Sequence, residues 1–355
     1  MASPQSGDYR SPVTILLGFG AVHRHLAHIL LTKADVLARD WGFVPRVVGV
    51  ADSGGALYRP AGLDLAALLT HKQSGQSVAA FPDGERVSDA LTLTQEAEYD
   101  LLLEAMPLNL RDGEPGLSCA RAALRRGKAV VLADKGPVVH DYAGLQALAR
   151  THGGRLAFSA TVCGGLPVLN LGRRDLVGAT IHRVEGILNS TTNYILSRMR
   201  RGMTLAEALA EAQRRGIAEA DPRLDLEGWD AAAKLVIIAN AVLGVPAQLT
   251  DVTVEGITGL ADIPLGDSQA VYRLVARATR QADGRYRLTV APERLPSDHV
   301  LAGVDDWQMG VVFETDIYET MFLKIDERGP LATAAAMLRD AVHSLTALPV
   351  PSPAR

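Results

Sequence analysis

Two kinds of residue in this chain could do chemistry together. The first is a glycine turn, Gly18-Phe19-Gly20-Ala21-Val22-His23, which follows a short apolar run and opens a stretch of helical spacing. In that setting the backbone N–H groups of a helix N-terminus receive a dinucleotide pyrophosphate. Two of the three fingerprint glycines are present. His23 fills the third position, where a missing side chain lets helix and strand approach; it faces the phosphates as a cation, plugs the site, or packs as such histidines most often do. A tight strand-to-helix turn without ligand has the same local pattern, and the strand-helix-strand order that follows favours the cofactor. Asp52 closes the run Arg46 to Asp52, where a carboxylate accepts from a ribose diol and repels a 2′-phosphate. That favours NAD, although an aspartate before Ser-Gly-Gly also suits a plain turn.

The second kind is lysine. Oxidising an alcohol against a nicotinamide needs a base for the hydroxyl proton, and the reverse reaction needs an acid at the same place. Lys135 sits at the C-terminal end of a predicted strand, where open α/β sheets bind ligands, and Lys234 follows Asp230 by one helical turn on the same face. The ordinary lysine pKa of about 10.4 must be lowered for base catalysis, and two lysines entering one cleft would lower each other. Taken alone, the Asp230–Lys234 spacing also describes a surface ion pair contributing under about 1 kcal/mol.

The elements that must position these residues alternate by type over the first 150 residues. Apolar runs at Val13 to Gly18, Arg46 to Asp52, Tyr99 to Pro107 and Lys128 to Pro137 alternate with helical spacing at Ala21 to Asp40, Leu117 to Arg126 and Tyr142 to Arg150. Runs without polar alternation imply strands covered on both faces, hence a parallel sheet with crossover helices. Beyond residue 150 the expected strands shorten (Leu156 to Thr161, His182 to Ile187). One helix opens with the capping box Thr204-Leu205-Ala206-Glu207 and closes at Gly216, and another runs from about Gly228 to Leu243. After Pro246, strand-like pieces at 286–292, 311–315 and 321–325 suggest an antiparallel sheet, and Pro330 to Leu345 reads as a last helix. The fold class expected is α/β, a Rossmann-type doubly wound parallel sheet, joined to an α+β domain with a mainly antiparallel sheet.

Composition narrows the setting. The chain has 355 residues, 48% of apolar type and 21% charged, which suits two ordinary globular domains. A formal charge of -4 and no extended basic run argue against nucleic acid. The longest nearly apolar stretch, Leu235 to Val245, is interrupted by Asn240 and is too short for a bilayer span, so no membrane partner is expected. The N-terminus has no apolar signal core, and two cysteines, Cys119 and Cys163, are too few for a disulfide framework; a reducing cytoplasm fits. Cys163 lacks an obvious basic partner and reads as structural, and His140, His152 and His182 have no zinc-ligand spacing.

The blocks EAMPLNLRDGEPG, ADKGP, ATVCGGLPVLN, EGILNSTTNYIL and AEADPRLDLEGWDAAAKL occur in an order and spacing that resembles the homoserine dehydrogenase family. The resemblance covers roughly residues 13 to 345 and is strongest from Glu104 to Leu243. It implies hydride transfer between L-homoserine and L-aspartate 4-semialdehyde with NAD or NADP, on the aspartate route to threonine and methionine. It also implies that Lys234 is the proton donor or acceptor and that Lys135 meets the substrate oxygen. Glu219 would hold the substrate ammonium, and Asp225 and Asp230 would complete the pocket, Asp230 also orienting Lys234. By the same resemblance Gly18, Phe19, Gly20, Ala21, Val22, Asp52, Met106 and Lys135 line the cofactor. An acidic helix N-terminus would account for the stretch around Asp225 without a substrate.

Three positions depart from the family pattern: His23 stands for glycine, Asp134 for asparagine and Ser159 for glutamate. The glutamate would join the backbone carbonyls of Val162, Gly164 and Leu166 around a monovalent cation, Na or K; serine is a weaker, neutral ligand, so a loosely held or absent cation is expected. Asp134 would raise the pKa of Lys135 by attraction unless its carboxylate points away. These departures keep open a paralogue that acts on another small hydroxy acid or that binds a nucleotide without catalysis. The domains expected are a dinucleotide-binding domain over 1–155 with 328–347 packing back onto it, a substrate-binding and dimerisation domain over 156–327, and a frayed tail over 348–355. The antiparallel pieces between 247 and 325 resemble the family's dimer-forming sheet, so a homodimer is expected. Since the sequence ends soon after the last block, the form expected is one without an appended regulatory module of about 70 residues.

Overall fold

The computed structural model describes residues 11–346 apart from 220, 262, 264 and 266–269. The tail expected to fray, 348–355, lies outside the described residues. Two compact units divide the chain, residues 1–161 with 330–355 and residues 162–329.

The first unit is built on a seven-stranded sheet of β1 (Val13–Leu17), β2 (Arg46–Asp52), β3 (Gly55–Tyr58), β4 (Glu85–Val87), β5 (Leu101–Glu104), β6 (Ala129–Leu132) and β7 (Arg155–Ala157), in the order β4-β3-β2-β1-β5-β6-β7. Strands β2, β1, β5, β6 and β7 run parallel, and β3 and β4 add an antiparallel edge. Every residue of β5 and β6 is buried, as runs without polar alternation require of strands covered on both faces. Strand β1 lies between β2 and β5, so the chain reverses direction across the sheet there and opens a crevice at the C-terminal ends of β1 and β5. This is the Rossmann-type doubly wound architecture.

Two local expectations change. The helix expected from Ala21 to Asp40 is two helices, Ala21–Thr32 and Ala34–Trp41, because Lys33 leaves helical geometry (φ -117°, ψ 13°). The break returns Leu37 to the core that already holds Leu26 and Leu30. The strand expected over Leu156 to Thr161 stops at Ala157, and Ser159–Thr161 forms a 3-10 turn in which both the N–H and the hydroxyl of Thr161 donate to Phe158 O. The C-terminal helix Leu331–Leu345 buries Ala334, Met337 and Ala341 in the same core as Leu16 and Leu26.

The second unit carries a six-stranded sheet of β8 (Ile181–Ile187), β9 (Val252–Val254), β10 (Ala270–Arg280), β11 (Tyr286–Pro296), β12 (Gln308–Thr315) and β13 (Thr320–Asp326), ordered β13-β12-β8-β10-β11-β9. All its pairs are antiparallel except β11 with β9. Against it lie helices Ser190–Arg200 and Trp229–Ala241. Helix Leu205–Arg214 has the complete Thr204/Glu207 capping box, and Gly216 follows it at φ 69°. Helix Trp229–Ala241 buries Ala231, Ala232, Ala233, Leu235, Val236, Ile237, Ile238 and Ala239, so a lysine in it must find its partners inside the protein. No helix among the described residues is long and apolar enough to cross a membrane.

Candidate active site

In the first unit, Gly18 turns the chain at φ 84°, and the N–H groups of Gly18 and Phe19 both donate to Ala51 O, at 2.9 and 2.8 Å. A Cβ on Gly18 would stand 2.5 to 2.7 Å from the Ala105 carbonyl and Met106 Cα, so the β1 turn and the chain after β5 meet at a distance only glycine permits. Gly20 is different. A Cβ there would have its nearest neighbour 3.9 Å away, and helix Ala21–Thr32 begins beside that open space with first-turn N–H groups that have no intrahelical acceptor. A helix N-terminus next to an open glycine fits a pyrophosphate. Ala21 is exposed and Val22 half-buried at this mouth, and Met106 is half-buried, its N–H donating to Glu104 Oε1 at 2.7 Å. Phe19 offers little to a ligand: its ring is 1% exposed in the core and its N–H is already used.

His23 is fully buried, with Nδ1 3.0 Å from Gly18 O. A carbonyl only accepts, so Nδ1 carries the hydrogen, and the bare Nε2 is buried without a partner among the described residues. Burial pulls the imidazole pKa down to about 4, outweighing the support of the Gly18 carbonyl. The residue packs as a neutral ring and brings no cation to the phosphates. Asp52 is saturated: Oδ1 accepts from Gly54 N (2.9 Å) and Ser77 Oγ (2.7 Å), Oδ2 from Lys72 Nζ (2.7 Å) and Val78 N (2.9 Å). Burial pushes its carboxyl up, but the bonds from Lys72, Ser77 and the two amides hold it below the ordinary value. Lys72 thus sets a positive charge beside the residue that was expected to repel a 2′-phosphate. Lys135 is half-buried (φ -78°, ψ -30°) at the start of the helical residues 136–152, and Asp134 reaches across it to accept from Gly136 N at 3.1 Å.

In the second unit the acidic-led helix forms a tight cluster. Lys234 Nζ donates to Asp230 Oδ2 and to Leu188 O, both at 2.6 Å. Asn189 Nδ2 donates to Asp225 Oδ1 at 2.6 Å and to Asp230 Oδ2 at 2.7 Å, while its Oδ1 caps helix Ser190–Arg200 by accepting from Thr192 N at 2.8 Å. One asparagine therefore fixes two carboxylates and a helix start together. Burial pulls the Lys234 ammonium down, yet the Asp230 carboxylate more than compensates and the pKa is raised. This reverses the expected depression, because the close charge is an anion of its own helix rather than a second lysine. Burial, with the Asp230 charge, pushes the Asp225 carboxyl up to about 6. Cys163, in a left-handed turn at φ 55°, directs its Sγ to the same Leu188 O at 4.0 Å, so it does have a basic neighbour in Lys234. Glu219 stands outside this cluster among the described residues, exposed, with its backbone carbonyl accepting from Gln213 Nε2 at 3.2 Å. Asn189 was missed in the sequence; the signal was an asparagine directly before Ser-Thr-Thr at a helix start.

Residues expected around a monovalent cation have partners within their own units. Ser159 Oγ donates to Asp340 Oδ1 at 2.6 Å and accepts from Arg339 at 2.9 Å, and its N–H donates to Asp340 Oδ2 at 2.7 Å, so the hydroxyl is committed to the C-terminal helix. Leu166 O accepts from Val168 N at 2.8 Å, and the Glu327 carboxylate packs on Gly164 and accepts from Gly165 N at 3.0 Å.

The family model for homoserine dehydrogenase matches residues 167–342, and a model for glutamate/leucine/phenylalanine/valine dehydrogenase matches residues 18–107. An NAD(+)-dependent homoserine dehydrogenase of Pseudomonas canavaninivorans is 37% identical over 334 residues, 92% of this chain and 94% of its own length. A homoserine dehydrogenase of Methanocaldococcus jannaschii is 34% identical over 330 residues, 93% and 97% of the two chains. Among solved structures, a hyperthermophilic archaeal homoserine dehydrogenase in complex with NADPH matches with a TM-score of 0.83 at 27% identity, covering 97% of this chain and 100% of that one. With relatives of this identity matched along nearly their whole length, the chain belongs to the homoserine dehydrogenase family.

Proposed function

We propose that the protein interconverts L-homoserine and L-aspartate 4-semialdehyde with NAD or NADP, using Lys234 as the acid and base. What supports the reading most is Lys234 itself, an ammonium nearly buried (11% exposed) in a largely apolar helix and held by Asp230 and Leu188 O. A lysine kept there at such desolvation cost is a functional candidate on physical grounds. When bound, the nicotinamide supplies the hydride acceptor or donor. The open Gly20 and the first turn of helix Ala21–Thr32 hold the pyrophosphate, with Ala21, Val22 and Met106 at the mouth and Asp52 and Lys72 toward the ribose. Lys135 donates to the substrate oxygen. Lys234 gives its proton to the aldehyde oxygen in reduction and takes the hydroxyl proton in oxidation. Asp230 orients it, Asn189 fixes Asp230 and Asp225, and the exposed Glu219 meets the substrate ammonium.

The sign of the Lys234 shift sets the pH dependence. A raised pKa keeps the ammonium as the resting form, ready for reduction, so oxidation of homoserine needs it deprotonated and its rate climbs through the alkaline range without a plateau below about pH 10. Formation of NADH or NADPH from L-homoserine, followed by absorbance from pH 7 to 10, tests both statements. Absence of turnover with either cofactor overturns the assignment. Lys234→Ala is expected to lose about a thousandfold in kcat while cofactor binding persists.

The same reading takes the protein as a cytoplasmic homodimer. Both cysteines are free and buried, as suits a reducing compartment. The edge strand β13 leaves Phe322 38% exposed, and Val177 (72%), Ile317 (60%) and Tyr318 (40%) add apolar surface in the same unit, where a second copy would cover them.

A further inference from the structure

Glu104 and Asp134 end neighbouring strands of the first unit. Glu104 is the last residue of β5, Asp134 lies two residues beyond β6, and Ala133 N donates to Glu104 O at 2.8 Å. Glu104 is 0% exposed and Asp134 5%. Both turn toward Gly116, the first residue of helix Gly116–Arg125: a Cβ there would stand 3.5 Å from Asp134 Oδ2 and 3.6 Å from Glu104 Oε1. Met106 N donates to Glu104 Oε1 at 2.7 Å and Gly136 N to Asp134 Oδ1 at 3.1 Å, but Glu104 Oε2 is buried without a partner among the described residues.

We propose that Glu104 and Asp134 form one acid pair that retains a proton at neutral pH and, by setting the charge beside the Asp134–Lys135–Gly136 turn, positions Lys135. The positioning role rests on the place given to Lys135 in the proposed function; the retained proton does not. An orphaned carboxylate oxygen in a dry site is a desolvated anion, whereas the protonated acid there is neutral, and two such groups do not both ionise cheaply. Burial, with the Asp134 charge, pushes Glu104 well above the carboxylate range, and burial pushes Asp134 up to about 6. The surroundings supply few counter-charges. Lys135 on the same turn and His140 on the following helix favour the ionised form of Asp134. Cys119 on helix Gly116–Arg125 is neutral, its thiol pushed up to about 12 by burial, and Glu114 before that helix is occupied by Ser118.

Near neutral pH the pair carries a single negative charge, on Asp134. That charge strengthens the bond Asp134 accepts from Gly136 N, and this bond closes the turn that holds the Lys135 backbone. Below pH 6 Asp134 protonates, the clasp weakens and Lys135 is held less firmly. The family resemblance places asparagine at this position, which closes the same turn but cannot ionise; the pH response belongs to this chain's aspartate.

Two measurements separate the parts. Infrared difference spectra of the protein without substrate at pH 7 are expected to show the carbonyl stretch of a protonated carboxylic acid that disappears in Glu104→Gln and remains in Asp134→Asn. Absence of that band from the wild type, or its survival in Glu104→Gln, overturns the retained proton. In steady-state kinetics of the reductive direction, where protonated Lys234 is the active form, kcat/KM for L-aspartate 4-semialdehyde is expected to fall several-fold below pH 6 in the wild type, with a flat limb there in Asp134→Asn. An unchanged acid limb in Asp134→Asn overturns the positioning role. A wild type that shows the infrared band but no turnover at any pH overturns the dehydrogenase reading, and the positioning role with it, and supports the retained proton.

Discussion

At the scale of single residues, two buried bases have opposite fates for one reason. Lys234 has an anion of its own helix at 2.6 Å and stays charged, while His23 has only a carbonyl dipole and stays neutral. Because the folded His23 pKa is depressed, to about 4 from an unfolded value near 6.5, the unfolded chain binds the extra proton as pH falls between them. Its contribution is therefore intact above the unfolded pKa and lost on acidification. Stability is expected to drop by about 2 kcal/mol from this group between pH 7 and 5. Urea unfolding at the two pH values checks this, and His23→Gly, though less stable at pH 7, should show a smaller drop. Lys72 makes a separate case. Its ammonium neutralises Asp52, and Lys72→Ala leaves that carboxylate to repel a 2′-phosphate, so the preference for NADP relative to NAD should fall about tenfold in kcat/KM. A ratio unmoved by the substitution would place the ribose elsewhere.

At the scale of elements, the two glycines of one turn do different work. Gly18 lets the chain after β1 touch the chain after β5, so Gly18→Ala sets a Cβ into backbone at a left-handed φ and should reduce soluble, folded protein sharply. Gly20 supports no such packing. Gly20→Ala should keep the melting temperature within a few degrees and raise the cofactor Kd by tenfold or more, since the new methyl enters the open space proposed for the pyrophosphate. Calorimetry on both variants distinguishes the roles. Helix Trp229–Ala241 shows the complementary principle: its all-round burial comes from alanines and branched aliphatics, and it seats one charged turn, Asp230 to Lys234, against Asn189 and Leu188.

At the scale of the whole molecule, each unit carries a separate part of the proposed chemistry, the nucleotide cradle on the parallel sheet and the acid-base cluster beside the antiparallel one. The second sheet ends in β13, in which no residue is buried. Phe322→Asp should convert the proposed homodimer to a monomer in size-exclusion chromatography with light scattering, and a native mass unchanged by the substitution would remove β13 from the proposed interface.

Local pattern determined much of this. The parallel strands, the glycine turn, the capping box at Thr204 and the Asp230–Lys234 face are legible because each depends on neighbours within a few residues. Strand β10 was not legible, since Arg273 and Arg277 interrupt its apolar alternation; only the fold supplies Asp305 to the first and Glu185 with Glu293 to the second. The same holds for every electrostatic question at the site. A sequence places Asp52, Asp134, Ser159 and Asn189 along a line, but whether each is an open ligand or a satisfied structural group depends on distant partners such as Lys72, Glu104 and Asp340. Charge states follow burial and close contacts, and those exist only once the chain has folded.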